Sequence, residues 1–209
     1  MNIACVIFDL DGTLVDSEGL CNQAFLDLLP ELSFSLEDMV SRYRGKKLAP
    51  ILADIEQRIG RKLPTGFEES YRERVAELFD TNLLPMPHVA EMLLSVKHPI
   101  CVASSGPPEK IRKALTVSSL SHFFGEKVFS SYEIGSWKPD PGLFLHAAKV
   151  MGYPPERCAV IEDSLPGIQA AVSAGMKSFL YAPVENMISG HDSVVFKSMR
   201  ELPHLLGCD

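Results

Sequence analysis

The chain has 209 residues, which is enough for one domain with a sizeable insertion or for two small domains. With 46% apolar, 22% charged and 8% aromatic residues, its composition excludes disordered, collagenous and coiled-coil classes. Its net charge of −7, from 20 basic and 27 acidic residues, argues against binding of duplex nucleic acid, which needs a basic face. An anionic substrate would have to be held by local positive groups.

The cysteines and the apolar runs indicate where the protein works. Five cysteines are present and none forms a C-x-x-C pair, so we expect neither a disulfide framework nor a zinc site. The first eight residues lack the basic start of a signal peptide, and no apolar run approaches the ~20 residues of a membrane span. We expect a cytoplasmic protein that has no membrane or nucleic-acid partner and is a monomer or a weak dimer.

The first part of the chain predicts one strand followed by a helical segment. The apolar run 3–8 does not alternate, as is typical of a strand buried on both faces. From 16 to 82, apolar residues recur at helical spacing, with Ser35 and Asp38 as a capping pair. Prolines at 85 and 87 then end the helical pattern. We interpret residues 16–83 as an inserted α-helical domain, and residues 1–15 with 84–209 as the domain that carries it.

After residue 87, helix and strand patterns alternate. The strand patterns lie at 100–103, 127–129, 159–161 and 178–180, and the helix patterns at 89–96, 111–117, 140–151 and 166–174. Repeated strand–helix–strand units favour a parallel sheet covered by helices on both faces. The predicted fold class is therefore α/β, a Rossmann-like parallel-sheet core with an inserted helical domain.

Polar residues follow four of the predicted strands. Sites in open parallel sheets lie at the carboxyl ends of the strands, so these residues should meet at one edge. In chain order they are Asp9 and Asp11, Ser104 and Ser105, Lys138, and Glu162 and Asp163. The edge therefore combines carboxylates, hydroxyl groups and one ammonium group.

Four short motifs carry a resemblance to a known family. In order they are Asp9-x-Asp11-Gly12-Thr13, Ser104, Lys138-Pro139 and Glu162-Asp163-Ser164. They resemble the motifs of the haloacid dehalogenase superfamily, and the helical segment resembles the cap of its β-phosphoglucomutase-like subfamily. Three further stretches, at 44–47, 105–107 and 137–141, resemble those of phosphatases that act on sugar-acid phosphates such as 6-phosphogluconate.

The resemblance implies a role for each residue at the strand ends. Asp9 would attack phosphorus to form an aspartyl-phosphate, and Asp11 would serve as general acid and base. Lys138 would neutralise charge on the transferred group, and the hydroxyl groups of Ser104 and Ser105 would bind its oxygens. Taken alone, the Asp-x-Asp-Gly stretch is equally compatible with a plain turn, and Lys138 with a solvated surface lysine.

The same residues predict a Mg²⁺ site. A phosphate monoester repels a carboxylate nucleophile, so Asp9 needs a divalent cation, and oxygen-only ligands favour Mg²⁺. Asp9 and Asp163 are the expected side-chain ligands. The resemblance adds the backbone carbonyl of Asp11, with Glu162 in a supporting position. Asp163 alone could instead cap the following helix.

The basic run at 42–47 is the candidate for substrate specificity. Arg44 and Lys47 could face the core and bind a remote anionic or polyhydroxy end of the substrate. Alternatively, cations at a helix C-terminus simply complement its dipole. Both interpretations stay open at the level of the sequence.

The leading hypothesis is a Mg²⁺-dependent phosphatase that acts on a small phosphorylated metabolite. A β-phosphoglucomutase-like mutase is the alternative, but those enzymes carry a cap histidine at the position of Cys21. Dehalogenation is disfavoured because dehalogenases of this fold lack the second aspartate, present here as Asp11. From a different class, the chain could be a non-catalytic sugar-phosphate-binding protein, although the fold alone would not require the four motifs.

Overall fold

A parallel β-sheet forms the centre of the protein in the computed structural model, which describes residues 3–183 and 193–208. The strands are β1 (Cys5–Phe8), β2 (Ile100–Ser104), β3 (Val128–Ser130), β4 (Cys158–Glu162), β5 (Lys177–Tyr181) and β6 (Val194–Phe196). Their order is β3-β2-β1-β4-β5-β6, and every neighbouring pair is parallel. The predicted α/β class is confirmed.

The first four helices lie between β1 and β2 in the chain. They are α1 (Glu18–Leu28), α2 (Leu36–Tyr43), α3 (Leu48–Ile59) and α4 (Phe67–Asn82). Helix α1 packs against α2 and α4, and Phe25 stacks on Tyr71 with ring centroids 4.1 Å apart. The predicted capping pair is confirmed, since the Ser35 hydroxyl accepts from the backbone N–H of Asp38 while the Asp38 carboxylate accepts from that of Ser35.

Helices cover both faces of the sheet. The remaining ones are α5 (Val89–Ser95), α6 (Pro108–Val117), α7 (Ser121–Phe124), α8 (Ser131–Ile134), α9 (Gly142–Met151), α10 (Leu165–Ser173) and α11 (Leu202–Leu205). Alternate residues of β1 point to opposite faces: Val6 and Phe8 join one buried cluster, whereas Cys5 and Ile7 join another with residues of α9 and α10. This two-sided burial explains why the first apolar run does not alternate.

The structure adds elements that the sequence patterns did not predict, namely β6, the one-turn helices α7 and α8, and α11. It also moves the start of α9. The helix pattern begins at residue 140, whereas α9 begins at Gly142 with Pro141 as its N-cap. The Asp140 carboxylate accepts from the backbone N–H of Gly142 at 2.8 Å. Of the domain predicted to carry the helical insertion, residues 1–15 and 84–209, residues 1–2, 184–192 and 209 lie outside the described residues.

Two connecting segments bring α1–α4 over one edge of the sheet. The backbone N–H of Asp16 donates to the carbonyl of Leu84 at 3.0 Å, and that of Met86 donates to the carbonyl of Leu14 at 2.9 Å. The chain therefore leaves the carboxyl end of β1 and returns to the same place. Within the described part of the chain, no helix is long and apolar enough to cross a bilayer.

Candidate active site

A cavity of about 390 Å³ lies between the carboxyl edge of the sheet and helices α1–α4. Its sheet side carries the predicted residues Asp9, Asp11, Ser105, Lys138, Glu162 and Asp163. Its helical side includes Phe25, Tyr43, Arg44, Lys47, Tyr71 and Phe79. The volume falls within the range of small-molecule sites, roughly 300–1,000 Å³. The fold thus brings residues that are distant in sequence to one enclosed space.

An acidic cluster of Asp9, Glu162 and Asp163 forms the floor of this cavity. Each residue offers a carboxylate oxygen within 4.8 Å of the other two, and all three are buried. The ammonium group of Lys138, also buried, donates to Asp9 Oδ1 and, at 2.7 Å, to Glu162 Oε1. One lysine therefore holds together the ends of β1 and β4.

The charges within the acidic cluster are not balanced. Burial raises the pKa of Asp9 to about 7, although the nearby Lys138 ammonium opposes this shift. Burial, together with the charges of Glu162 and Asp9, raises the pKa of Asp163 well above its usual value. The Lys138 ammonium contacts only two of these three buried carboxylates, Asp9 and Glu162, so further positive charge would stabilise the cluster. An oxygen-only donor set with this deficit fits a divalent cation such as Mg²⁺.

Gly12 makes room for the Asp163 carboxylate. Its backbone has φ +80°, which favours glycine, and a Cβ there would overlap Oδ2 of Asp163 and lie 2.8 Å from its Cγ. The hydroxyl of Thr13 donates to Asp163 Oδ1 at 3.3 Å. The turn after β1 is therefore shaped around a carboxylate that belongs to the turn after β4.

Helix α10 is capped by Ser164, not by Asp163. The Ser164 hydroxyl accepts from the backbone N–H of Gly167 at 3.3 Å. It also donates to Glu162 Oε2 at 2.8 Å, and the Ser164 backbone N–H donates to the same oxygen at 2.6 Å. The Lys138 contact occupies the other oxygen of Glu162. This pattern leaves Asp163 available to a metal and suits Glu162 to a supporting position.

The carboxylate of Asp11 has two partners that the sequence analysis missed. Its Oδ1 accepts from the Ser17 hydroxyl at 2.5 Å and from the Lys110 ammonium at 2.7 Å. Burial favours the protonated form of Asp11, but these two donors outweigh it and lower its pKa. Asp9 and Asp11 therefore differ in charge environment although only one residue separates them.

The two serines after β2 have different surroundings. Ser104 is buried, and its hydroxyl accepts from the backbone N–H of Gly106 at 3.1 Å. Ser105 is half-buried and lines the cavity. Ser105 therefore lines the cavity, and Ser104 lies directly before it at the end of β2, with its hydroxyl bonded to the backbone of the following turn.

The predicted specificity residues of the helical segment also reach the cavity. Arg44 Nε lies 2.6 Å from Glu18 Oε2, and Lys47 Nζ lies 5.1 Å from the centroid of the Trp137 ring. Burial raises the pKa of Glu18 to about 7, although the Arg44 guanidinium opposes this shift. Glu18, the partner of Arg44, was not predicted from the sequence.

Comparison with known proteins decides the family. The model of the haloacid dehalogenase-like hydrolases matches residues 3–175. The chain belongs to this family. It is also 38% identical over 208 residues to the 6-phosphogluconate phosphatase of Escherichia coli strain K12, covering 97% of this chain and 94% of that protein. The resemblance stated from the motifs is confirmed, and the relationship identifies the protein as a phosphatase.

Two solved structures share the fold over almost the whole chain. A conserved family protein of unknown function from Agrobacterium tumefaciens is 27% identical with a TM-score of 0.84, covering 98% of both chains. A putative β-phosphoglucomutase from Thermotoga maritima is 25% identical with a TM-score of 0.78, covering 98% of this chain and 99% of that one. The likeness to the β-phosphoglucomutase-like subfamily extends to the helices between β1 and β2.

Proposed function

We propose that this protein is a Mg²⁺-dependent phosphatase of phosphorylated sugars or sugar acids, with 6-phosphogluconate as the first substrate to test. The observation that carries the proposal is the position of Asp9. Its buried carboxylate faces an enclosed cavity and is hydrogen-bonded to the Lys138 ammonium. A nucleophile, a fixed cation and a cluster of oxygen ligands therefore meet at one point, as phosphoryl transfer through an enzyme carboxylate requires.

Asp9 and Asp163 are the side chains that would hold Mg²⁺, together with the backbone carbonyl of Asp11. Glu162 would act indirectly, because the Lys138 ammonium and the Ser164 donors already engage both its oxygens. When bound, the cation supplies positive charge that offsets the repulsion between the phosphate and the carboxylates.

The residues at the strand ends perform the reaction in two steps. The negative charge of a bound phosphate ester opposes Lys110 and favours uptake of a proton by Asp11, whose pKa is otherwise lowered. In the first step, Asp9 attacks phosphorus, the ester P–O bond breaks, and the protonated Asp11 gives its proton to the departing alcohol oxygen. In the second, Asp11 takes a proton from water, whose oxygen attacks phosphorus and releases Asp9 and inorganic phosphate. Throughout, Lys138 and Ser105 would stabilise charge on the transferred phosphoryl group.

We assign substrate selection to the helical segment, residues 16–83, as a cap over a core made of residues 1–15 and 84–209. Helices α1–α4 close the cavity above the acidic cluster and so would limit the access of water. Arg44 and Lys47 add positive charge on that side, which suits the carboxylate of a sugar acid. The similar Escherichia coli protein, named for 6-phosphogluconate, supports this choice. The cytoplasm remains the predicted location.

Phosphate release from a panel of phosphorylated sugars, sugar acids and nucleotides tests the proposal. We expect turnover that needs Mg²⁺, is highest on a sugar or sugar-acid phosphate, and disappears in Asp9→Asn. Binding without turnover would instead support a sugar-phosphate-binding protein. Isomerised sugar phosphate in place of free phosphate would support a mutase, for which the cavity offers the thiol of Cys21 where those enzymes have an imidazole.

A further inference from the structure

Lys110 is a charged residue of the cavity to which the mechanism above gives no role. It lies in the first turn of α6, and its ammonium group donates to Asp11 Oδ1 at 2.7 Å. Its side chain is only 24% exposed, and it lines the cavity. A lysine that is enclosed in this way beside the predicted acid and base needs an explanation.

The position of Lys110 is unfavourable for a lysine on local grounds. The first turn of a helix carries partial positive charge from its unpaired N–H groups, so a cation there is repelled. The residue just before it, Glu109, has the charge that this position favours. Departures from local preference concentrate at functional sites, where another requirement outweighs them.

The distance to Asp11 places Lys110 next to the reacting end of a substrate. As general acid, Asp11 must come within about 2.6–3.2 Å of the ester oxygen. An ammonium group 2.7 Å from Asp11 Oδ1 is then at most about 6 Å from the ester oxygen when Oδ1 transfers the proton, and at most about 8 Å when Oδ2 does. At this range it can reach an oxygen on the carbon atom next to the one that bears the phosphate.

The Lys110 ammonium group also has further N–H donors beyond the one that bonds Asp11. An ammonium group carries three N–H donors, and the contact with Asp11 uses one. Towards the helical segment, the Lys110 nitrogen lies 5.9 Å from the centroid of the Phe79 ring, which also lines the cavity. The ammonium group therefore lies between the two sides of the cavity, where a bound substrate would pass.

We infer that Lys110 is a specificity residue that donates a hydrogen bond to an oxygen on the carbon next to the phosphate-bearing carbon. The selected class is then phosphate monoesters with a neighbouring hydroxyl or carboxylate group, as in sugar and hydroxy-acid phosphates. An ester with only hydrogen at that carbon leaves the enclosed ammonium without this partner. This inference rests on the proposed phosphatase activity and specifies the substrate feature that the sheet side recognises.

A matched pair of esters tests the inference. Glycerol 1-phosphate has a hydroxyl on the neighbouring carbon, whereas propyl phosphate has none and is otherwise similar in size. We expect the wild type to hydrolyse glycerol 1-phosphate with at least a tenfold higher kcat/KM. In Lys110→Met this ratio should fall at least fivefold. In Lys149→Met the ratio should be unchanged, because Lys149 is exposed on α9 and is not among the residues that line the cavity.

The outcomes separate this inference from the proposed function. A wild type that shows no preference between the two esters overturns the inference without any variant and leaves the phosphatase intact. An equal loss on both esters in Lys110→Met also overturns it and assigns Lys110 to positioning Asp11 alone. A wild type that releases phosphate from no ester overturns both proposals. If Lys110→Met does not fold, as judged by circular dichroism, Lys110→Gln is measured on the same pair.

Discussion

The two sides of the cavity differ in how firmly their charges are held. On the sheet side, Lys138 is 6% exposed and has two carboxylate partners, and each oxygen of Glu162 has a donor. On the helical side, Arg44 is 35% exposed in its pair with Glu18. Buried, fully bonded networks are rigid, whereas exposed ion pairs contribute little and rearrange easily. The sheet side therefore suits chemistry that needs fixed geometry, and the helical side suits recognition that can vary.

Removing the central cation should have the largest effect. Lys138→Met leaves Asp9 and Glu162 without their shared donor. We expect phosphatase activity to fall by about a thousandfold or more and the free energy of unfolding to fall by about 3–5 kcal/mol. Activity assays and urea denaturation measure the two effects. Lys149→Met, on the exposed face of α9, is the control. If both variants behave alike, the sheet side is not a rigid network.

A methyl group at Gly12 should disable the metal site without altering its ligands. Gly12→Ala would push the Asp163 carboxylate aside, so we expect about a hundredfold weaker Mg²⁺ binding and a matching loss of activity. Gly60→Ala is the matched control, because Gly60 has φ +70° but open space where its Cβ would lie. Both variants should lose about 1 kcal/mol of stability from backbone strain. Equal Mg²⁺ affinity in the two variants would contradict a role for Asp163 in the site.

The acidic cluster should make Mg²⁺ binding depend on pH. The pKa of Asp9 is raised to about 7, so much of it is protonated at pH 6 and ionised at pH 8. Metal ligands must be ionised, so the affinity for Mg²⁺ should rise by about tenfold from pH 6 to pH 8. Calorimetry in buffers of different ionisation enthalpy measures both affinity and the protons released. An affinity that stays constant over this range would remove Asp9 from the ligand set.

Changes on the helical side should have the smallest effects and depend on the substrate. Lys47→Ala and Arg44→Ala should lower kcat/KM on 6-phosphogluconate by about five- to twentyfold, as expected for single charged hydrogen bonds. On esters without a carboxylate the loss should be slight. The difference between the losses on the two kinds of ester should be smaller for Arg44→Ala than for Lys47→Ala, because Arg44 already contacts Glu18. Equal losses on both kinds of ester would rule out carboxylate recognition.

Most of the sheet could be predicted because its signals are local. Apolar runs, prolines and helix caps lie within a few residues of the elements they define, so β1 to β5 and the long helices follow from the pattern. The missed elements are short or lie at the edge, like β6, where few residues carry the signal. The partners of Asp11 were missed for another reason. Lys110 is 99 positions away in the chain, and its only local sign is a cation in the first turn of a helix.

The sequence by itself determined the fold class, the family and the chemical groups at the strand ends, because parallel strands place the residues that follow them at one edge. Only the tertiary structure decided which of these groups touch. It showed that Ser164 rather than Asp163 caps α10, that Ser105 lines the cavity, and that Lys110 donates to Asp11. Such contacts depend on how helices pack onto the sheet, and packing is set by the whole core rather than by neighbours in the chain.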